Sequence, residues 1–134
     1  IWAYRGLRGE VCYLVSETKA KTDKDGPLHV LADYRGFVQA DAAGTFDDLF
    51  KDGTRLEVGC NAHARRKFFE ARDSHPVESS GALAIYKKVY EIEARVRDGT
   101  PEARRATRQA ETKPLLERFD QWLDELVARP DLER

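Results

Sequence analysis

Two stretches decide the fold, YRGFVQAD at residues 34–41 and EVGCNAHARRKFF at residues 57–69. In the run from Phe37 to Asp41, Val38 and Ala40 would lie on one face and the other three residues on the opposite face, which predicts a strand that ends at the carboxylate. The compact apolar run from Leu56 to Cys60 predicts a second, buried strand. A helix is expected directly after it, from about Ala62 to Asp73.

The residues before and between these stretches predict a β-hairpin and two short helices. Runs of strand-forming residues at Trp2 to Leu7 and Val11 to Ser16 flank Arg8-Gly9-Glu10, which favours a hairpin. Pro27 is suited to the first position of a short helix. A capping-box-like pattern from Thr45 to Asp48 predicts another helix to about Phe50, with Asp47 and Asp48 as capping acids rather than catalytic ones.

The last 50 or so residues have a helical pattern. Apolar residues recur at spacings of three and four along one stripe, formed by Ala82, Ile85, Val89, Ile92 and Val96 and widened by Leu83, Tyr86 and Tyr90. Thr100-Pro101 predicts the start of another helix, which Pro114 should kink or split. We therefore expect a mixed α/β part followed by an α-helical hairpin, with a boundary near His75-Pro76. Trp2 and Trp122 are predicted to be packing residues.

Composition limits the possible functions. The net charge is -1, from 23 Lys and Arg against 24 Asp and Glu, so attraction to DNA would have to come from local patches. Two cysteines and no signal-like or membrane-spanning apolar run favour a cytoplasmic protein that contacts no membrane. The absence of methionine suggests that the sequence is an internal piece of a longer protein.

Asp41 is the first candidate for catalysis, because an acid at the carboxyl end of a strand faces the crevice where α/β sheets bind ligands. An aspartate after a strand is otherwise a common turn or cap residue. Metal-dependent phosphodiester chemistry requires several carboxylates around its ions, so Asp41 would need partners.

The predicted helix after Cys60 carries the candidate DNA-binding residues. Arg65, Arg66 and Lys67 would point to phosphates while Phe68 and Phe69 anchor the helix, although such a run is also typical of a solvated face. His63 lies one turn earlier and could approach a phosphate. Cys60 and His63 form a C-x-x-H pair. A structural zinc site needs four ligands, so this pair would need two more.

A second basic cluster, Arg104, Arg105 and Arg108, has Glu102 and Glu111 close in sequence. Ion pairs along the helix would explain this cluster as well as DNA contact would. It is therefore the weaker of the two candidate interfaces.

The two quoted stretches resemble the central block of insertion-sequence-66 transposases, with weaker resemblance at Ile1 to Tyr4 and from Pro101 to Leu116. The chain differs from the family pattern at Ala42-Ala43, where Gly-Tyr is common, and at Asn61, where an aromatic residue is usual. The resemblance implies that Asp41 is the second acid of an Asp-Asp-Glu set whose other two members lie outside this chain.

The same resemblance implies a fold, a cofactor and partners. Residues 1–75 would be a partial RNase H-like core with a mixed sheet and flanking helices, and residues 76–134 a helical insertion between the second and third acids. Asp41 would bind Mg²⁺ in the complete catalytic domain. The DNA ends of an insertion sequence, and further copies of the protein or other transposition proteins, would be its partners.

Two other interpretations remain open from the sequence. The chain could be a non-catalytic DNA-binding or assembly module, such as a transposase remnant. It could also belong to an RNase H-like nuclease unrelated to transposition. An acid at the end of the core's first strand, upstream of Ile1, would indicate an active transposase rather than a non-catalytic module. Binding of the parent protein to terminal repeats would indicate a transposase rather than an unrelated nuclease.

Overall fold

A computed structural model describes residues 2–6, 8–15, 26–40 and 44–131. The chain divides into two compact units, residues 1–63 and 64–134. The first contains the strands and two short helices, and the second is helical. The mixed α/β class is therefore confirmed. The assignment of residues 1–75 to a catalytic core and of 76–134 to an insertion stays a prediction.

The predicted hairpin is present and slightly shorter than expected. Strands β1 (Trp2–Arg5) and β2 (Val11–Leu14) pair antiparallel, with Ala3 opposite Tyr13. In the turn between them Gly9 has a φ of 90°, a left-handed conformation that glycine adopts without steric cost. Leu7 and Ser16, the predicted strand ends, lie outside the described residues.

Residues 36–40 and 55–59, which overlap the two stretches quoted above, form a parallel pair of strands. Strand β3 (Gly36–Ala40) pairs with β4 (Arg55–Gly59), and Ala40 lies opposite Gly59 at the carboxyl ends. Before β3 comes helix α1 (Pro27–Val30), with proline at its start as predicted. A 3-10 turn (Gly44–Phe46) and helix α2 (Asp47–Phe50) lie between the strands, as the crossover of a parallel pair requires.

The helix predicted from the capping-box-like pattern is present as α2, but the Thr45 side chain lies outside the described part of the structure, so its capping contact stays a prediction. The turn begins at Gly44, so Thr45 lies inside it, and Phe46 occupies the N-cap position without a side-chain cap. Asp47 and Asp48 do lie in the first turn of α2, where acids interact favourably with the helix dipole. Their assignment to the helix start is confirmed.

The four strands form two separate pairs among the described residues, rather than one mixed sheet. A short turn sets the register of β1 with β2, and a short crossover sets that of β3 with β4. Residues 15–35 separate the two pairs in sequence, so no local connection sets a register between them. The RNase H-like arrangement stays a prediction.

The second unit is built on a helical hairpin, as predicted. Its helices are α3 (Asn61–Glu70, which begins in the first unit), α4 (Pro76–Val96), α5 (Pro101–Thr107) and α6 (Lys113–Val127), with a 3-10 turn at Ala71–Asp73. The core holds Ala82, Tyr86 and Phe119, and the Tyr86 and Phe119 rings meet edge to face at 5.5 Å. Trp122 stacks on Phe119, which confirms it as a packing residue.

Two helix boundaries follow directly from the sequence. Thr100 caps α5, because its Oγ1 accepts a hydrogen bond from the Ala103 amide at 3.2 Å. A π-helical turn over Arg108–Thr112 separates α5 from α6 just before Pro114. Proline has no amide hydrogen to offer the carbonyl four residues earlier, which explains the predicted split. None of the described helices has the length and apolar character that a membrane span requires.

Candidate nucleic-acid interface

The carboxyl edge of the β3–β4 pair belongs to the first unit, whereas the predicted cations of α3 belong to the second unit. Ala40 and Gly59 lie side by side at the ends of their strands, and this edge of a parallel pair is where α/β proteins place ligands. Asp41 follows Ala40 in sequence, but it lies outside the described residues. Its catalytic and metal-binding roles stay predictions. Cys60 follows Gly59 and leads into α3.

Cys60 and His63 are brought together at the start of α3. A hydrogen bond with the His63 side chain, followed by those from the His63 and Ala62 backbone amides, lowers the pKa of the partly exposed Cys60 thiol. Within residues 2–6, 8–15, 26–40 and 44–131, no group of three or more His, Cys, Asp or Glu side chains could hold a metal ion. The described residues therefore give the zinc interpretation no third ligand.

Helix α3 presents the predicted cations to solvent. Arg65, Arg66 and Lys67 are all exposed, while Phe68 packs against Tyr86 and Phe119 at centroid distances of 6.3 and 6.1 Å. The aromatic anchor of the basic helix is thus confirmed for Phe68. Contact of these cations, and of exposed His63, with DNA stays a prediction.

Phe69 was expected to anchor the helix too, and this prediction is wrong. Its side chain is 46% exposed, and the Arg72 guanidinium lies over its ring at 4.1 Å. Consecutive side chains of a helix point about 100° apart, so Phe68 and Phe69 do not face one core together. Phe69 instead makes a cation–π contact with a surface arginine.

The three cations of α3 differ in their surroundings. Arg66 Nε donates a hydrogen bond to Glu70 Oε1 at 2.7 Å, one helical turn further on. This bond, together with the positive charges of Arg66 and Lys67, lowers the pKa of the Glu70 carboxyl. No described carboxylate forms an ion pair with Arg65.

The second basic cluster does take part in ion pairs, but not along its own helix. Arg108 makes a two-pronged contact with Glu93 of α4, with Nε–Oε1 and Nη2–Oε2 distances of 2.8 and 2.5 Å. Arg95 of α4 pairs with Glu111 in the π-helical turn. These pairs cross between the two arms of the hairpin, because the antiparallel arms bring residues about 15 positions apart into contact. The predicted pairing of Glu111 within its own helical segment is therefore wrong, because Glu111 pairs with Arg95 of α4. Arg108 is held by Glu93.

Sequence reasoning missed Arg55, which organises the first unit. Its side chain is only 8% exposed, and its guanidinium donates to the carbonyls of Leu49, Leu31 and Ala32 at 2.7, 3.0 and 3.2 Å. It also pairs with Asp52 Oδ2 at 2.5 Å. An arginine three residues after an aspartate, at a strand start, was the available signal. Arg55 fixes the start of β4 and so positions the strand edge of the candidate site.

The fold and its exposed basic helix define a mixed α/β chain with a candidate nucleic-acid interface. The model of a family described as "Transposase IS66 family" matches residues 1–132. The chain therefore belongs to the IS66 transposase family, as the sequence motifs predicted.

A relative from Sinorhizobium fredii (strain NBRC 101917 / NGR234), named "Uncharacterized protein y4hP", is 33% identical to the chain. The match covers 78% of this chain and 22% of the relative, so the chain spans about a fifth of that protein's length. No solved structure matches the chain.

Proposed function

We propose that this chain contributes to DNA strand cleavage and transfer during transposition of an insertion sequence. The observation that carries the proposal is the family match over nearly the whole chain. An RNase H-like catalytic domain is part of the same proposal, with residues 1–75 supplying part of its core. Assembly with further copies or with other transposition proteins is part of it as well.

In this proposal Asp41 is one of three acids that hold Mg²⁺ in the complete catalytic domain. Magnesium bound by such acids polarises phosphate oxygens and activates the attacking hydroxyl or water. The described residues contain no such set of acids, and one carboxylate does not make a two-metal site. No reaction step is therefore assigned to this chain by itself.

The role of this chain's own side chains in the proposal is to hold DNA. Arg65, Arg66 and Lys67 project from a helix whose Phe68 is anchored in the second unit. Contacts from Lys and Arg to phosphates carry no sequence information, so residues that bind the backbone in this way would position DNA rather than select its sequence. His63, one turn earlier on α3, would add a hydrogen-bond donor to a phosphate.

The catalytic part of the proposal is tested with Asp41→Asn in a full-length transposase that carries this sequence. We expect Mg²⁺-dependent strand transfer to be lost and DNA binding to be kept. Asp47→Asn is the matched control, because Asp47 is an exposed acid in the first turn of α2 and has no proposed role in catalysis. Unchanged strand transfer by Asp41→Asn would contradict the assignment.

The isolated 134-residue chain is expected to show no strand transfer, because it supplies only one proposed metal-binding acid. Mg²⁺- or Mn²⁺-dependent strand transfer by this chain, abolished by Asp41→Asn, would overturn that expectation. If the full-length protein binds insertion-sequence ends and no version of it cleaves them, the non-catalytic assembly module becomes the better interpretation.

A further inference from the structure

The basic helix carries its own carboxylate at the place where its cations are exposed. Glu70 lies one turn after Arg66, and the Arg66 Nε–Glu70 Oε1 hydrogen bond measures 2.7 Å. The side chains are 73% and 48% exposed, so solvent and ligands reach both members of the pair. Arg66 thus already has an anionic partner before any DNA arrives.

Glu70 is held by more than one cation. Its carboxyl pKa is lowered mainly by the hydrogen bond from Arg66, and the charges of Arg66 and Lys67 both act in the same direction. A carboxylate in this position offers these cations what a phosphate offers, namely negatively charged oxygens that accept hydrogen bonds. Arg65 has no ion-pair partner within the described part of the chain.

We propose that Glu70 occupies the phosphate position of the basic helix and that DNA binds there by displacing it. The inference rests on the proposed DNA contact of Arg65, Arg66 and Lys67. Glu70 then weakens binding in two ways: it occupies Arg66, and its charge repels an approaching phosphate. An exposed pair of this kind is weak, so DNA phosphates can compete with it.

The test is a salt titration of non-specific duplex DNA binding by the 134-residue chain and by Glu70→Gln. Removing the carboxylate frees Arg66 for one more phosphate contact. We expect Glu70→Gln to bind about threefold more tightly at low salt, and the slope of log affinity against log salt to steepen by about one unit.

Glu91→Gln is the matched control. Glu91 sits one turn after Lys87 on α4 with a looser contact of 3.9 Å, and its removal changes the net charge by the same amount. We expect it to change affinity by much less and to leave the salt slope unaltered. Equal effects of Glu70→Gln and Glu91→Gln would overturn the inference, because a general charge effect would then explain both.

A double variant tests the specific link between the two residues. Arg66→Ala should cost more affinity in the Glu70→Gln background than in the original chain, because Arg66 contacts DNA more fully there. Equal costs in the two backgrounds would contradict the inference. Circular dichroism of every variant checks that the helices remain folded.

The triple variant Arg65→Ala/Arg66→Ala/Lys67→Ala separates this inference from the proposed function. If the triple variant binds DNA as the original chain does, or if no variant binds, both proposals fail. If the triple variant binds more weakly while Glu70→Gln behaves like Glu91→Gln, the basic helix contacts DNA and only the role of Glu70 is wrong.

Discussion

Arg55 joins four groups of the first unit through one buried guanidinium. It reaches the carbonyl of Leu49 in α2, those of Leu31 and Ala32 after α1, and the Asp52 carboxylate. A planar guanidinium with several donors suits such divergent acceptors, whereas a lysine ammonium does not reach them all. Arg55 therefore links α2, the turn after α1 and the start of β4.

We expect Arg55→Ala to lower the free energy of unfolding by about 3 kcal/mol, because it removes a buried guanidinium and takes its donor from the carbonyl of buried Leu49. Arg55→Lys should recover only part of this loss. Urea denaturation of the chain measures both. Arg35→Ala is the control, since exposed Arg35 also bonds carbonyls, those of Ala32 and Tyr34, and should cost less than about 1 kcal/mol. Similar losses for both arginines would argue against a special role for Arg55.

Ser79 is a buried polar residue with no compensating contact. It is 1% exposed on the inner face of α4, and its hydroxyl has no hydrogen-bond partner within the described part of the chain. A buried unpaired hydroxyl costs free energy, so its removal is not penalised as removal of a bonded group would be. At Ser79 the side chain therefore adds no hydrogen bond to the stability of the helical hairpin.

Ser79→Ala should leave stability unchanged or raise it by up to about 1 kcal/mol. Thr100→Ala, which removes the observed cap of α5, should instead lower stability by about 1 kcal/mol. Thermal unfolding followed by circular dichroism compares the two. A clear loss for Ser79→Ala would mean that the hydroxyl does have a partner, such as a bound water.

Among the elements, α3 shows how one short helix serves two purposes. Phe68 contributes to the aromatic cluster with Tyr86 and Phe119, and so fixes the helix to the second unit. The three cations directly before Phe68 remain exposed because the helix is covered on one side only. This aromatic contact would give the proposed phosphate-binding cations a defined position.

Ion pairs with a defined pH dependence join α4 to the π-helical turn Arg108–Thr112. The hydrogen bond from Arg108 lowers the pKa of the Glu93 carboxyl below its ordinary value of 4.5. A carboxyl whose pKa is lower in the folded state contributes stability above its unfolded pKa. That contribution disappears as the pH falls through the folded pKa.

We therefore expect the original chain to lose more stability than Glu93→Gln when the pH is lowered from about 5 to about 3. Other paired carboxylates contribute equally to both proteins, so the difference between them isolates Glu93. Glu91→Gln serves as the control and should follow the original chain. Parallel pH profiles for the original chain and Glu93→Gln would show that the Glu93–Arg108 pair adds no stability.

On the scale of the whole molecule, charge and apolar surface are both distributed unevenly. The net charge of -1 gives no general attraction to DNA, so the proposed DNA binding depends on a local patch such as α3. Phe37, Leu56 and Val58 lie exposed on one face of the β3–β4 pair, at 69%, 51% and 38%. Parallel strands are normally covered on both faces, so this face is available for further contacts.

Much of the local structure was determined by the sequence itself, because it depends on neighbours along the chain. The hairpin, the positions of β3 and β4, the cap at Thr100 and the split before Pro114 all follow from short patterns of side-chain polarity, glycine and proline. The family was likewise predictable from two motifs, and the exposure of Arg65, Arg66 and Lys67 from the predicted anchoring of their helix by an aromatic residue. The predicted burial of strand β4 is wrong, because it is exposed from Leu56 to Gly59.

Only the tertiary structure decided which distant groups meet. Arg55 and Leu31 are 24 residues apart and Arg108 and Glu93 are 15 apart, and no periodicity connects such positions. The separation of the strands into two pairs and the different surroundings of Phe68 and Phe69 depend on packing as well. Local patterns specify which faces are apolar, but the partner of each face is set by the free energy of burying all of them together.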